Sequence, residues 1–234
     1  MVNQSNPFLL YFLGLALIFI ILRIVNWYQQ GKKFKRDGQR VKKLANPPEK
    51  LNIFVTHDSP KNPYEASVIK NTFKLERDPH NATLYCDRGA AYLMLQNFDN
   101  ALLDFNRAID LKPDYADAWS NRGLVHYTEK KYEAALADYS QAIKILDTDG
   151  VYFLNRGQAY RQLGNYEQAL ADLDRTLELI PNLSDVKKER GLVYYAMGKK
   201  EQALVELMEY REMVGYFMTD AEAIKALMEL EKEN

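Results

Sequence analysis

Cysteine is nearly absent from this chain. Cys86 is the only one in 234 residues, so an internal disulfide and any zinc site built on several thiolates are excluded. As a lone thiol it reads as a small buried hydrophobe. Glycine and proline are also sparse, eleven and eight against sixteen tyrosines, which points to helices rather than a turn-rich sandwich. No phosphate-binding glycine loop occurs: GKKFKRDG at 31–38 lacks both the spacing and a preceding strand. The three histidines, His57, His80 and His126, stand apart in sequence, and His126 reads as a satisfied core histidine rather than a ligand or base. Acids are plentiful but form no pair set apart by environment, as acid–base catalysis requires. The chain is therefore expected to be no enzyme, with no catalytic residue, cofactor, metal or small-molecule substrate.

Charge of one sign is missing where it matters. No charged side chain precedes Phe8, whereas seven Lys and Arg lie between Lys32 and Lys43. Residues 1–43 hold eight bases and one acid; the rest of the chain holds 23 bases and 31 acids. An acidic body argues against nucleic acid as partner, since a duplex needs clustered cations on the folded domain. The basic neck suits an anionic membrane surface. From Phe8 to Leu22 the chain is uncharged, and Phe8 to Tyr28 spans about 31 Å as a helix, enough for a hydrocarbon core of about 30 Å. Arg23 is placed to snorkel, and Trp27 and Tyr28 fall at the interface. A cleaved signal would want cations before the apolar run and small residues after it, and neither is present. The expectation is a single-pass membrane helix at 7–28 in contact with the lipid bilayer, then a basic linker at 29–62. The positive-inside bias puts the N-terminus outside and the remainder in the cytoplasm.

Past the linker the sequence repeats. Gly89, Gly123, Gly157 and Gly191 recur at one constant interval, within YCDRGAAY, WSNRGLVH, FLNRGQAY and KERGLVYY. Twelve residues after each glycine comes alanine: Ala101, Ala135, Ala169 and Ala203. Phe98, Tyr132 and Tyr166 precede three of these alanines; Phe105, Tyr139, Leu173 and Leu207 follow all four. Small residues at both places let two antiparallel helices approach closely while rings fill the remaining volume. Pro113 and Pro181 cannot continue a helix and close two of the units. Arginine precedes every glycine (Arg88, Arg122, Arg156, Arg190), and an acid lies three residues after every alanine (Asp104, Asp138, Asp172, Glu206). That regularity predicts an ion pair between the two helices of each unit.

This pattern resembles the tetratricopeptide repeat, a helix–turn–helix unit of about 34 residues. The resemblance runs through four units, 82–115, 116–149, 150–183 and 184–217, without insertions. It implies an all-α solenoid of helical hairpins behind the N-terminal single-pass helix. A half-repeat helix at 63–81 precedes the units, and a capping helix at 218–234 follows, started by Thr219 or Asp220 with Ile224, Leu227 and Leu230 facing inward. In such arrays the first helix of each unit lines an inner groove. Carried onto this chain, the partner-binding residues are Leu93, Met94, Leu124, Tyr127, Leu154, Gln158, Arg161, Leu192 and Tyr195. The lysine and asparagine with which some family members clamp the carboxylate tails of chaperones are replaced here by Cys86 and Ala90, so that ligand is not expected. The functional expectation is a membrane-anchored scaffold, adaptor or assembly factor that binds peptide or helical segments of other proteins. The alternatives are a receptor for client proteins at a membrane and a fixed subunit of a membrane complex.

Overall fold

The computed structural model describes residues 62–215 and 219–232, and among these residues every element is helical. Helix α1 is Pro63–Arg77. Four antiparallel pairs follow: α2 (Ala82–Met94) with α3 (Phe98–Leu111), α4 (Ala116–Thr128) with α5 (Tyr132–Ile145), α6 (Gly150–Gln162) with α7 (Tyr166–Leu179), and α8 (Ser184–Ala196) with α9 (Lys200–Val214). Helix α10 (Ala221–Lys232) ends the described chain. The membrane helix expected at 7–28 and the basic linker up to residue 61 lie outside the described residues. No helix among the described residues is long and apolar enough to cross a membrane.

Local chemistry starts and stops these helices. Asn62 accepts hydrogen bonds from the Tyr64 and Glu65 amides ahead of Pro63 at the first helical position. Asn81, Asn97, Asp149 and Asp220 likewise accept amides at the starts of α2, α3, α6 and α10. Pro113 and Pro181 stand just beyond the ends of α3 and α7.

Within each pair the contact is as close as side chains allow. A Cβ added at Gly89 would lie 2.8 Å from Phe105 Cε1, at Gly123 2.9 Å from Tyr139 Cε1, and at Gly191 2.6 Å from Leu207 Cγ. Ala101, Ala135, Ala169 and Ala203 are fully buried, as are Phe105, Leu173 and Leu207. Thr176 takes a place that alanine holds in the first two pairs, and its hydroxyl donates to the Asp172 carbonyl 2.9 Å away. Between successive pairs the second helix of one packs on the first helix of the next; the first helices α2, α4, α6 and α8 also touch one another, and the second helices do not. The first helices therefore line the inside of the curve. Ala91, Val125, Ala159 and Val193, spaced as the glycines are, lie buried, and the last three pack in clusters with Ala101, Ala135 and Ala169 of the preceding pair.

The predicted ion pairs are present, and each arginine also reaches a third helix. Arg88 donates from Nε and Nη2 to both oxygens of Asp104 at 2.7 Å, and from Nη1 to Thr72 Oγ1 of the preceding helix at 3.1 Å. Arg122 repeats this with Asp138 at 2.9 and 2.6 Å and Asn106 at 2.7 Å. Arg156 does so with Asp172 at 2.8 Å for both bonds and Ser140 at 3.2 Å. In the last pair glutamate replaces aspartate. Arg190 Nη2 stands 3.0 Å from Glu206, Nη1 donates to Asp174, and the buried Nε finds no hydrogen-bond partner. The extra methylene moves the carboxylate out of two-pronged register. Lys187 approaches the other Glu206 oxygen at 3.3 Å.

The ends of the array are closed asymmetrically. Helix α1 packs on α2, and α10 covers α8 and α9 with Ala223, Ala226, Leu227 and Leu230. Asp220 is the residue that caps α10, and Ile224, expected to face inward, is only half-buried because Ala223 and Ala226 take the inner positions. Tyr210 stands where the first two pairs have Ala108 and Ala142, and its ring belongs to the cluster under α10.

The four turns inside the pairs share a left-handed residue: Gln96 (φ 57°), Lys130 (61°), Gly164 (76°) and Gly198 (72°). A side chain with a Cβ is strained there, and nothing crowds the two glycines. Gln96→Gly and Lys130→Gly are each expected to stabilise the fold by about 0.5–1 kcal/mol in denaturant melts. A loss of stability would show that these side chains contribute contacts outweighing the strain. Gly123→Ala should cost about 1–3 kcal/mol because the Tyr139 ring must give way. By contrast, a methyl at Gly157, with no neighbour nearer than 3.3 Å, should change stability by less than about 1 kcal/mol, helix propensity offsetting the tighter fit. Equal effects at the two sites would contradict the packing described.

Candidate protein-binding groove

The inner surface is formed by α2, α4, α6 and α8, and its two ends differ. Over α2 and α4 it is open and apolar along one lip. Met94, at the end of α2, is 56% exposed, and Leu124, mid-way along α4, is 36% exposed. Leu93 and Tyr127 are half-buried beside them. Leu93 packs on the cluster holding Ala101 and Phe105, and Tyr127 meets Tyr132 edge-on at 5.4 Å between centroids. The exposed faces of Met94 and Leu124 fill no gap in the fold.

The opposite lip of the same half is anionic. Asp87, on the second turn of α2, and Asp117, on the first turn of α4, are exposed, and both lie near enough to the buried Cys86 to act on its thiol. Tyr152 of α6 donates to Asp117 at 2.5 Å, and Asn121 Nδ2 donates to Cys86 Sγ at 3.6 Å. Burial pushes the Cys86 thiol up to about 11; hydrogen bonds with Asn121 and Tyr115 oppose the shift, and Asp117 and Asp87 add to it. Tyr115 is pushed up to about 12, by burial first and by Cys86 and Asp117 after it. Cys86 therefore stays a thiol, held as a small buried group.

Over α6 and α8 the surface is filled by a polar network. Arg161 Nε donates to Glu189 at 2.9 Å, and Gln158 donates to the other Glu189 oxygen at 3.1 Å. The remaining Arg161 nitrogens reach Glu222 of α10 at 2.8 and 3.2 Å. Lys188 stands 3.2 Å from Asp220 and 3.6 Å from Glu189, and the Tyr195 hydroxyl donates to Glu229. Burial opposes the charge on Arg161, but Glu189 and Glu222 outweigh it and hold its pKa above the ordinary value.

The nine residues expected to bind partners thus separate. Leu93, Met94, Leu124 and Tyr127 lie on α2 and α4, with Met94 and Leu124 exposed and Leu93 and Tyr127 half-buried. Leu154 and Leu192 do not present a surface, being 8% and 3% exposed. Leu154 is packed with Leu173 and Val186 of the neighbouring helices, and Leu192 lies beneath α10 with Leu207 and Leu227. Gln158, Arg161 and Tyr195 are engaged by the chain's own carboxylates. Glu189, Glu222 and Glu229, which engage them, escaped sequence reasoning because no spacing pattern links residues as far apart as Arg161 and Glu222.

His126 is half-buried on α4, its Nε2 3.7 Å from Asp138 and its buried Nδ1 without a hydrogen-bond partner. It is not the fully satisfied core histidine expected, because Asp138 is already taken by Arg122. Among the described residues no three His, Cys, Asp or Glu side chains converge as a metal site would need.

A family model described as "Tetratricopeptide repeat" matches residues 116–149 and 151–183, and one described as "TPR repeat" matches residues 95–130. No curated protein sequence matches the chain. Solved structures share the fold. A chain of the APC/C hetero-tetramer Cut9–Hcn1 superposes with a TM-score of 0.65 at 18% identity, covering 73% of this chain and 34% of that one. This protein thus spans about a third of that neighbour's length. PilF of Pseudomonas aeruginosa gives 0.58 at 23%, covering 68% and 70%. YrrB, described as "a TPR protein with an unusual peptide-binding site", gives 0.56 at 19%, covering 69% and 91%. At these identities the likeness is one of fold.

Burial, more than any neighbour, lowers the pKa of His126; Asp138 opposes this, and Arg122 and Lys131 reinforce it. The unfolded chain then binds the proton more readily, so stability falls as pH drops through and below the ordinary imidazole value of about 6.5. His126→Phe should flatten the fall in Tm between pH 7 and pH 5 measured by circular dichroism. An unchanged slope would assign that pH dependence to other groups.

Proposed function

We propose, since this chain is a tetratricopeptide-repeat protein, that it is a membrane-anchored scaffold holding segments of partner proteins against the inner surface of its repeats. The observation that carries this reading is the open end of the groove, where Met94 and Leu124 expose apolar surface with no part in the fold. The peptide-binding site ascribed to YrrB, a structural neighbour, is in keeping with such a use of the fold. In this reading the anchor is residues 7–28 and the repeats lie on the cytoplasmic side, the side favoured by the seven basic residues from Lys32 to Lys43. A tethered groove meets membrane-borne partners at high effective concentration and needs only modest intrinsic affinity. The chain's work is then recognition and placement, with the chemistry left to its partners.

Mild crosslinking in native membranes, followed by identification of the captured chains, tests this. The double variant Met94→Ser, Leu124→Ser is expected to reduce capture roughly tenfold, as for the central residues of a binding surface, while leaving Tm unchanged. A varied set of captured chains would fit an adaptor or receptor, and one chain in fixed ratio would fit a complex subunit. Capture indifferent to both substitutions would remove the groove from the account. Deleting residues 1–30 should release the protein from membranes without unfolding its repeats.

A further inference from the structure

The groove reading above leaves the chemistry of the partner open, and the inference drawn here rests on it. We propose that only the half of the groove over α2 and α4 is free to take a partner. It accepts a segment apolar on one side and bearing lysine or arginine on the other.

The other half already has an occupant. Helix α10 turns Asp220, Glu222 and Glu229 onto Lys188, Arg161 and Tyr195, all groove-facing side chains of α6 and α8. Its apolar side, Ala223, Ala226, Leu227 and Leu230, covers Leu192. An amphipathic helix is thus seated there by burying an apolar face and matching carboxylates to the groove's cations.

Over α2 and α4 no helix of the described residues is seated in this way, and the sign is reversed. The charges of the groove are Asp87 and Asp117, and among the described residues no lysine or arginine makes an ion pair with either. Asp117 receives the Tyr152 hydroxyl on one oxygen, which leaves the other for a partner. Both carboxylates are near enough to Cys86 to reinforce the upward shift that burial imposes on its thiol, so their field acts along the groove floor. The apolar lip lies at the far end of the same helices. Asp87 to Met94 is about 10 Å along α2, and Asp117 to Tyr127 about 15 Å along α4. A helix of about 10–12 Å diameter laid across them meets carboxylates on one flank and Leu93, Met94, Leu124 and Tyr127 on the other. Charge complementarity therefore selects a cationic amphipathic segment and turns away an acidic one.

The test uses the full chain in zwitterionic nanodiscs, with empty nanodiscs as baseline. Two labelled 14-residue peptides share a leucine face and differ in carrying lysine or glutamate on the other. Fluorescence anisotropy should show the lysine peptide binding at least tenfold tighter than the glutamate peptide, with affinity falling as salt rises. Asp87→Asn with Asp117→Asn, where asparagine still accepts the Tyr152 hydroxyl, should weaken the lysine peptide roughly tenfold. Asp87→Asn alone, at an exposed site, should give a smaller loss in the same direction and serves if the double variant melts early. Glu222→Gln, at the occupied end, should alter binding less than about twofold. Equal binding of both peptides, with loss of both on Met94→Ser, Leu124→Ser, would overturn the charge inference and leave the groove reading standing. A large effect of Glu222→Gln would overturn the claim that one half is closed. Binding indifferent to every substitution would remove both readings together.

Discussion

Two helices held at near-contact distance are the constraint from which the rest of the molecule follows. With no side chain at Gly89, Gly123 and Gly191, the ring or branched chain opposite each lies against backbone, and the alanines across the interface complete the fit. A pair so formed still has apolar side chains on its flanks, and only a further pair can cover them. The stack, its inner and outer sides and the location of a binding surface all descend from that requirement.

Close packing alone would allow neighbouring pairs to slide. The guanidinium of each arginine prevents this by joining three helices, two in its own pair and the one that precedes that pair. Where the partner is aspartate, a planar fork meets a carboxylate in two parallel bonds, a geometry that fixes orientation as well as distance. These charges are largely screened from solvent, so each depends on the other. Such groups hold register more than they add net stability.

Much of this was legible in the sequence. The unvarying interval between glycines identifies the pairs, and the recurring Arg and acid identify two of the three helices each clamp joins. The third acceptor was hidden because its chemistry varies among Thr72, Asn106, Ser140 and Asp174, which share only the ability to accept a hydrogen bond. The groove was half legible for a related reason. Periodicity says which turn of a helix carries Leu154 or Leu192, but burial there is decided by what packs over it from a neighbouring pair or from α10. Long-range ion pairs such as Arg161 with Glu222 leave no trace in local spacing at all.

The clamps also govern how the array comes apart. A pair that melts strands a guanidinium in the next pair and an acceptor in the one before, so opening any middle pair injures both neighbours. Cooperativity therefore spreads through α2 to α7, which should exchange their amide protons as one block. At Arg190 the fork is incomplete and one nitrogen is idle. The last pair is thus the seam at which the solenoid can loosen while the remainder keeps its form.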